Sequence, residues 1–166
     1  MERAVGEWKA VVSRFARLIP SRRTCAEGAH EQPPRILAIV PDGQDRLLLQ
    51  TIASEAGWIV SFSGTTLDIL SGRLADVPPI VIYDRDFFPN NWREAVAALS
   101  KVLPRPYVIL LAVNLDNNLL DELQRLGGSD ILRKPARRDD IAEAVKTGWM
   151  LWRSQQQVRS LLKNRM

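Results

Sequence analysis

Asp84 and Asp86 are where chemistry could start in this chain. They follow a short apolar run, Pro79-Ile80-Val81-Ile82-Tyr83, and Pro89 closes the stretch behind them. In an open α/β sheet, ligands and reactions sit just beyond the carboxyl ends of the strands. An aspartate in that position can bind a metal ion or accept a transferred group. Two other stretches could bring partners to it. Asp42 ends the run Ile36-Leu37-Ala38-Ile39-Val40-Pro41, and Lys134-Pro135 breaks a short run that begins at Asp130. A plainer reading stands beside each. Asp84 could be a strand-end acid held by hydrogen bonds or by an ion pair with Lys134, Asp42 could open an Asp-Gly turn, and Asp86 could be a solvated loop acid.

Composition removes other chemistries. The chain has one histidine, His30, and one cysteine, Cys25. A histidine-based zinc site or a Ser-His-Asp triad would rest on that single imidazole. An internal disulfide cannot form, which fits a reducing, cytoplasmic setting. No apolar run approaches the roughly 18–20 residues that span a bilayer, and residues 1–19 lack a signal-peptide pattern. The net charge is +4. Residues 133–166 carry nine Lys/Arg against three Asp/Glu. No base-reading motif accompanies that excess, so a solvated helix face is expected and nucleic acid is not.

The elements that must position these residues follow from periodicity. Residues 1–19 read as an amphipathic helix whose stripe is Val5, Trp8, Val12, Phe15 and Ile19. A linker is expected over 20–34, rich in Pro and polar residues. Apolar runs near 36–40, 59–62, 80–83, 107–112 and 130–133 then alternate with helical patterns over 45–56, 67–74, 90–102, 116–126 and from 139 or 140 onward. The stripes expected are Leu48, Ile52 and Ala56; Leu67, Leu70 and Leu74; Trp92, Val96, Leu99 and Val102; and Leu119, Leu123 and Leu126. Gly57 and Gly127-Gly128 are helix stops, and Ser63-Gly64-Thr65-Thr66 reads as a helix cap rather than a phosphate cradle. Strands alternating with helices predict an α/β fold, a flavodoxin-like (βα)5 doubly wound parallel sheet of order 2-1-3-4-5. The ends of strands 1 and 3 are then neighbours. The last helix reaches to about residue 163, and its apolar pattern, with Trp149 and Trp152, is wide enough to want a partner.

From about residue 35 to 152 the sequence resembles a bacterial two-component receiver domain. Five features carry the resemblance: the strand run ending at Pro41-Asp42; Glu55-Ala56-Gly57-Trp58; Ile80-Val81-Ile82-Tyr83-Asp84 with Pro89 soon after; Pro106; and Gly127-Gly128-Ser129-Asp130-Ile131-Leu132-Arg133-Lys134-Pro135. The last is the most specific. The resemblance implies that Asp84 matches the phosphoacceptor, that Lys134 contacts the phosphoryl oxygens, and that the Lys-Pro peptide is cis. It also implies an acidic pair at the end of strand 1 for a divalent cation such as Mg2+, a Ser/Thr at the end of strand 4, and an aromatic switch residue in strand 5.

The chain departs from that pattern. The acidic pair falls on Pro41-Asp42, or on Val40-Pro41 one register earlier. The hydroxyl position falls on Leu111 or Ala112, and the aromatic position on Ile131. Asp42, Asp84 and Asp86 are the candidate metal ligands. The expectation is an atypical receiver, a pseudo-receiver, that is not an enzyme, needs no cofactor, and signals by protein–protein contact with weak or no phosphorylation. The alternative is a working phosphoacceptor that takes a phosphoryl group on Asp84 from a histidine kinase with Mg2+. A nucleotide- or flavin-binding domain is disfavoured, because no Gly-rich loop follows strand 1. The organisation expected is 1–19, 20–34, a receiver-like domain over 35–153 and a helical extension over 154–166. Those 14 or so last residues cannot hold a helix-turn-helix, so output is expected through other proteins or a homodimer. The expected interaction surface is Val5, Trp8, Val12, Phe15, Ile19, Trp149 and Trp152.

Overall fold

Five short strands form one parallel sheet: β1 (Arg35–Ile39), β2 (Ile59–Phe62), β3 (Ile80–Asp84), β4 (Tyr107–Ala112) and β5 (Asp130–Arg133). The computed structural model describes residues 32–41, 43–71 and 76–164. The expected helix over 1–19, nearly all of the linker, Asp42 and Leu74 lie outside the described residues. The strand order is β2-β1-β3-β4-β5, as the alternation predicts. Registers are fixed by pairs such as Ala38 with Ile82, Ile82 with Ile109, and Leu111 with Leu132.

The strands read as continuous apolar runs because both faces of the sheet are covered. On one face Leu37, Ile39, Val81, Tyr83, Val108, Leu110 and Ala112 meet α2 (Leu67–Leu70), α3 (Trp92–Ser100) and α4 (Asn117–Leu126). On the other, Ile36, Ala38, Val40, Ile80, Ile82, Ile109 and Leu111 meet α1 (Gln44–Ala56) and α5 (Arg138–Lys163). Every residue of β3 is buried, so its carboxyl end leads from the centre of the core straight to the sheet edge.

Helix ends follow local chemistry. Gly57 closes α1 at φ 70 and Gly127 closes α4 at φ 97, a region that favours residues without a Cβ. Asp116 caps α4, its Oδ1 accepting from the Leu119 N–H at 2.6 Å. The cap expected at Ser63-Gly64-Thr65-Thr66 is made by Thr65, whose Oγ1 accepts from the Leu67 N–H. Gly148 lets α5 lie close on the sheet: a Cβ there would come within 2.5 Å of the Tyr107 ring.

Two expected helix faces are corrected. In α1 the buried face is Leu49, Ile52 and Ala53, while Leu48 is half-buried and Ala56 exposed. Three consecutive leucines, 47–49, leave the helical phase open, and the sheet selects the i, i+3, i+4 set that starts at Leu49. In α2, Leu67 faces solvent and Ile69 enters the core. This helix is one turn long, too short for a stripe to form.

Candidate functional site

The site is built at the carboxyl edge of β3. Asp84 ends that strand and is fully buried. Its Oδ1 accepts from the backbone N–H of Asp86 at 2.9 Å and of Phe87 at 3.2 Å. An aspartate that receives the amides two and three residues onward turns the chain and ends the ladder. Its Oδ2 accepts from Lys134 Nζ at 2.5 Å.

Lys134 reaches Asp84 from the end of β5. Its backbone N–H extends the β5–β4 ladder to Ala112 O at 2.9 Å, and a cis Lys134–Pro135 peptide follows, as the resemblance implies. The ammonium also lies 3.0 Å from Asp45 Oδ2, in the first turn of α1. One cation is thus clasped between a carboxylate from the first turn of α1 and one from the end of β3. Burial opposes the charge on Lys134, but its hydrogen bonds to Asp84 and Asp45 outweigh that and hold it above the ordinary lysine range. Toward the other end of α1, Glu55 pairs with Arg138 at the start of α5.

Asp45 was not among the residues expected here. The signal was in the sequence: an acid in the first turn of the helix after strand 1 must lie at the edge where strands 3 and 5 also end. Asp86, expected as a metal ligand, also straps two loops. Its Oδ2 accepts from the Val113 N–H at 2.6 Å, while Arg85 donates to Asn114 O at 3.2 Å. Asp42 lies outside the described residues.

The neighbouring strand is apolar at the same level. Leu111 is the register partner of Asp84, and Leu111 and Ala112 are both fully buried, one on each face of the sheet. Ile131 packs half-buried against the α2–α3–α4 side. Trp149 and Trp152 stack at 5.5 Å with planes 10° apart, and Trp149 packs against the α1–α5 core.

Among the described residues, which leave out the candidate ligand Asp42, no group of three or more His, Cys, Asp and Glu is arranged to hold a metal ion, and the cation between Asp45 and Asp84 is the Lys134 ammonium. Among the described residues, no helix is long and apolar enough to cross a membrane.

No protein-family model and no curated protein matches the sequence. Solved structures do match. A response regulator in red light signaling of R. palustris is 26% identical with a TM-score of 0.55, over 72% of this chain and 93% of its own. A response regulator from Thermotoga maritima is 19% identical with a TM-score of 0.61, over 70% of this chain and 98% of its own. The receiver domain of a sensor histidine kinase from Pseudomonas aeruginosa is 14% identical with a TM-score of 0.58, over 69% of this chain and 96% of its own. That domain has a magnesium ion coordinated in its active-site cleft. The structural neighbours are response-regulator receiver domains, and the fold of this chain is the flavodoxin-like receiver fold.

Proposed function

We propose that this chain is a receiver-like signalling module that acts by binding other proteins, with weak or no phosphoryl transfer and without enzymatic activity of its own. One observation carries the reading. Asp84 is fully buried and both of its oxygens are engaged, Oδ1 by two backbone amides and Oδ2 by Lys134. A carboxylate engaged by hydrogen bonds and an ammonium is a weaker nucleophile than a free one, and here both oxygens are so engaged. The strand beside it supports the same reading. Leu111 and Ala112 are buried and apolar, so no hydroxyl stands there to follow a group added to Asp84.

A second reading draws on the same lysine. An ammonium 2.5 Å from Asp84 Oδ2 could neutralise charge on a transferring phosphoryl group, so the alternative is a working phosphoacceptor served by a histidine kinase.

Intact mass after incubation with acetyl phosphate, with and without Mg2+, separates the two. Neither the parent nor Asp84→Ala is expected to gain a phosphoryl adduct over its own starting mass. A phosphoryl adduct on the parent alone would replace the first reading with the second.

A further inference from the structure

α5 runs for 26 residues, but only its first part docks on the sheet. Its buried residues are Ile141, Ala144, Val145 and Gly148, and none follows Gly148. Beyond that point Met150 is 51% exposed, Leu151 39%, Val158 56%, Leu161 65% and Leu162 59%. These are not scattered. Leu151, Ser154, Val158 and Leu161 recur at intervals of three, four and three, which is a heptad seam. Met150 and Leu162 flank it. At 3.6 residues per turn the seam lies about 110° round the helix from the residues that dock on the sheet, so both faces can be covered at once.

Charge decides what can cover it. The residues bordering the seam, Gln155 and Gln157, are neutral. Lys146, Arg153, Arg159 and Lys163 all stand about 100° or more from the seam. α5 has no acid after Glu143. An anionic membrane or an acidic partner would use cations that border the apolar stripe. Within α5 the cations Lys146, Arg153, Arg159 and Lys163 are turned away from it. A second copy needs the reverse, a self-complementary apolar seam with no like charges facing each other.

We propose that the seam Leu151, Ser154, Val158 and Leu161, with Met150 and Leu162, pairs with the same seam of a second copy of this chain. The stacked tryptophans Trp149 and Trp152 lie on another side of the helix and take no part. A helix this short would be marginal alone, but α5 is already nucleated on the sheet, so pairing does not bear that cost. Pairing holds whether or not Asp84 takes a phosphoryl group, so it and the proposed function fail separately.

Light scattering and sedimentation of the full chain up to high micromolar concentration test this. A concentration-dependent dimer is expected. Val158→Asp and Leu161→Asp, each shown to be folded by circular dichroism, should weaken it at least about tenfold. Ser160→Asp, on the far side of α5, should leave it unchanged. A parent that stays monomeric overturns the proposal, whether another segment of the chain or a vesicle surface then occupies the stripe. So does a dimer that both seam variants leave intact.

Discussion

Two halves of one sheet edge have taken different courses. Where β1, β3 and β5 end, charge is concentrated: Asp45 and Asp84 share the Lys134 ammonium within hydrogen-bond distance. Where β4 ends, the same edge is closed by Leu111 and Ala112, both fully buried, with Ile131 beside them on β5. The charged half has the geometry for handling an anion, while the apolar half has nothing polar to report one. A charge on Asp84 can be held here, but strand 4 has no side chain that would move in response. The clasp ties the first turn of α1 to the ends of β3 and β5, while the end of β4 is filled by packed apolar side chains.

The largest effect should come from the apolar half. Leu111→Ala removes a fully buried side chain between α1, α5 and the sheet, and is expected to cost roughly 2–5 kcal/mol by urea denaturation. Leu111→Thr, which puts back a hydroxyl beside Asp84, should also destabilise, because the shorter side chain gives up packing volume in the α1–α5 core. A Thr variant as stable as the parent would mean this half still has room for a polar reporter, and the contrast between the halves would fail.

Breaking the charged half comes next. Lys134→Ala leaves the Asp84 carboxylate buried without its cation. The expected loss is about 2–3 kcal/mol, less than the roughly 3–5 kcal/mol of a fully dry pair because Lys134 keeps some contact with water. The Asp84→Ala, Lys134→Ala double variant should lose less than the sum of the two singles. Strict additivity would show that the pair is not coupled.

The contrast between the halves also bears on what the sequence revealed. Strand positions and helix stops were legible because each is local: an apolar run bounded by Gly or Pro needs no knowledge of the rest of the chain. Asp84 and Lys134 were legible because both lie at strand ends. Asp45 was legible as an acid at that same edge, but not its partner, which is a lysine far along the chain. The phase of α1 was ambiguous for a similar reason, because Leu47, Leu48 and Leu49 all suit a core and only docking selects Leu49. The width of the last helix's apolar pattern was legible, but the tryptophans drew attention away from the stripe that stays exposed.

A smaller effect sharpens the charged half through pH. Lys134 is held above its ordinary value of 10.5, so its contribution to stability is complete below that pH and lost as pH climbs through the raised value. Burial also raises the phenols of Tyr83 and Tyr107, so the whole protein weakens in alkali. The difference between the parent and Lys134→Met isolates the lysine. That difference should be constant from neutral pH to about pH 10 and shrink above it. A difference that stays flat into stronger alkali would place the stabilisation in the lysine's hydrocarbon stem and not in its charge.

Smallest of all is the strap that joins the halves. Asp86 gives its backbone N–H to Asp84 and takes the Val113 N–H on Oδ2, so it ties the charged loop to the loop that leaves the apolar strand. Because the residue is exposed, Asp86→Ala should cost only about 0.5–1.5 kcal/mol, the net value of one hydrogen bond. Asp86→Asn keeps an acceptor oxygen and should cost less. The roles of strap and metal ligand separate on one axis. A strap gives the same loss with Mg2+ present or chelated, whereas a ligand gives a loss that appears only with Mg2+ and is as large for Asn as for Ala, because Asn lacks the charge that Mg2+ prefers. The geometry at Val113 favours the first outcome, since Oδ2 already takes an N–H from the β4 side of the site.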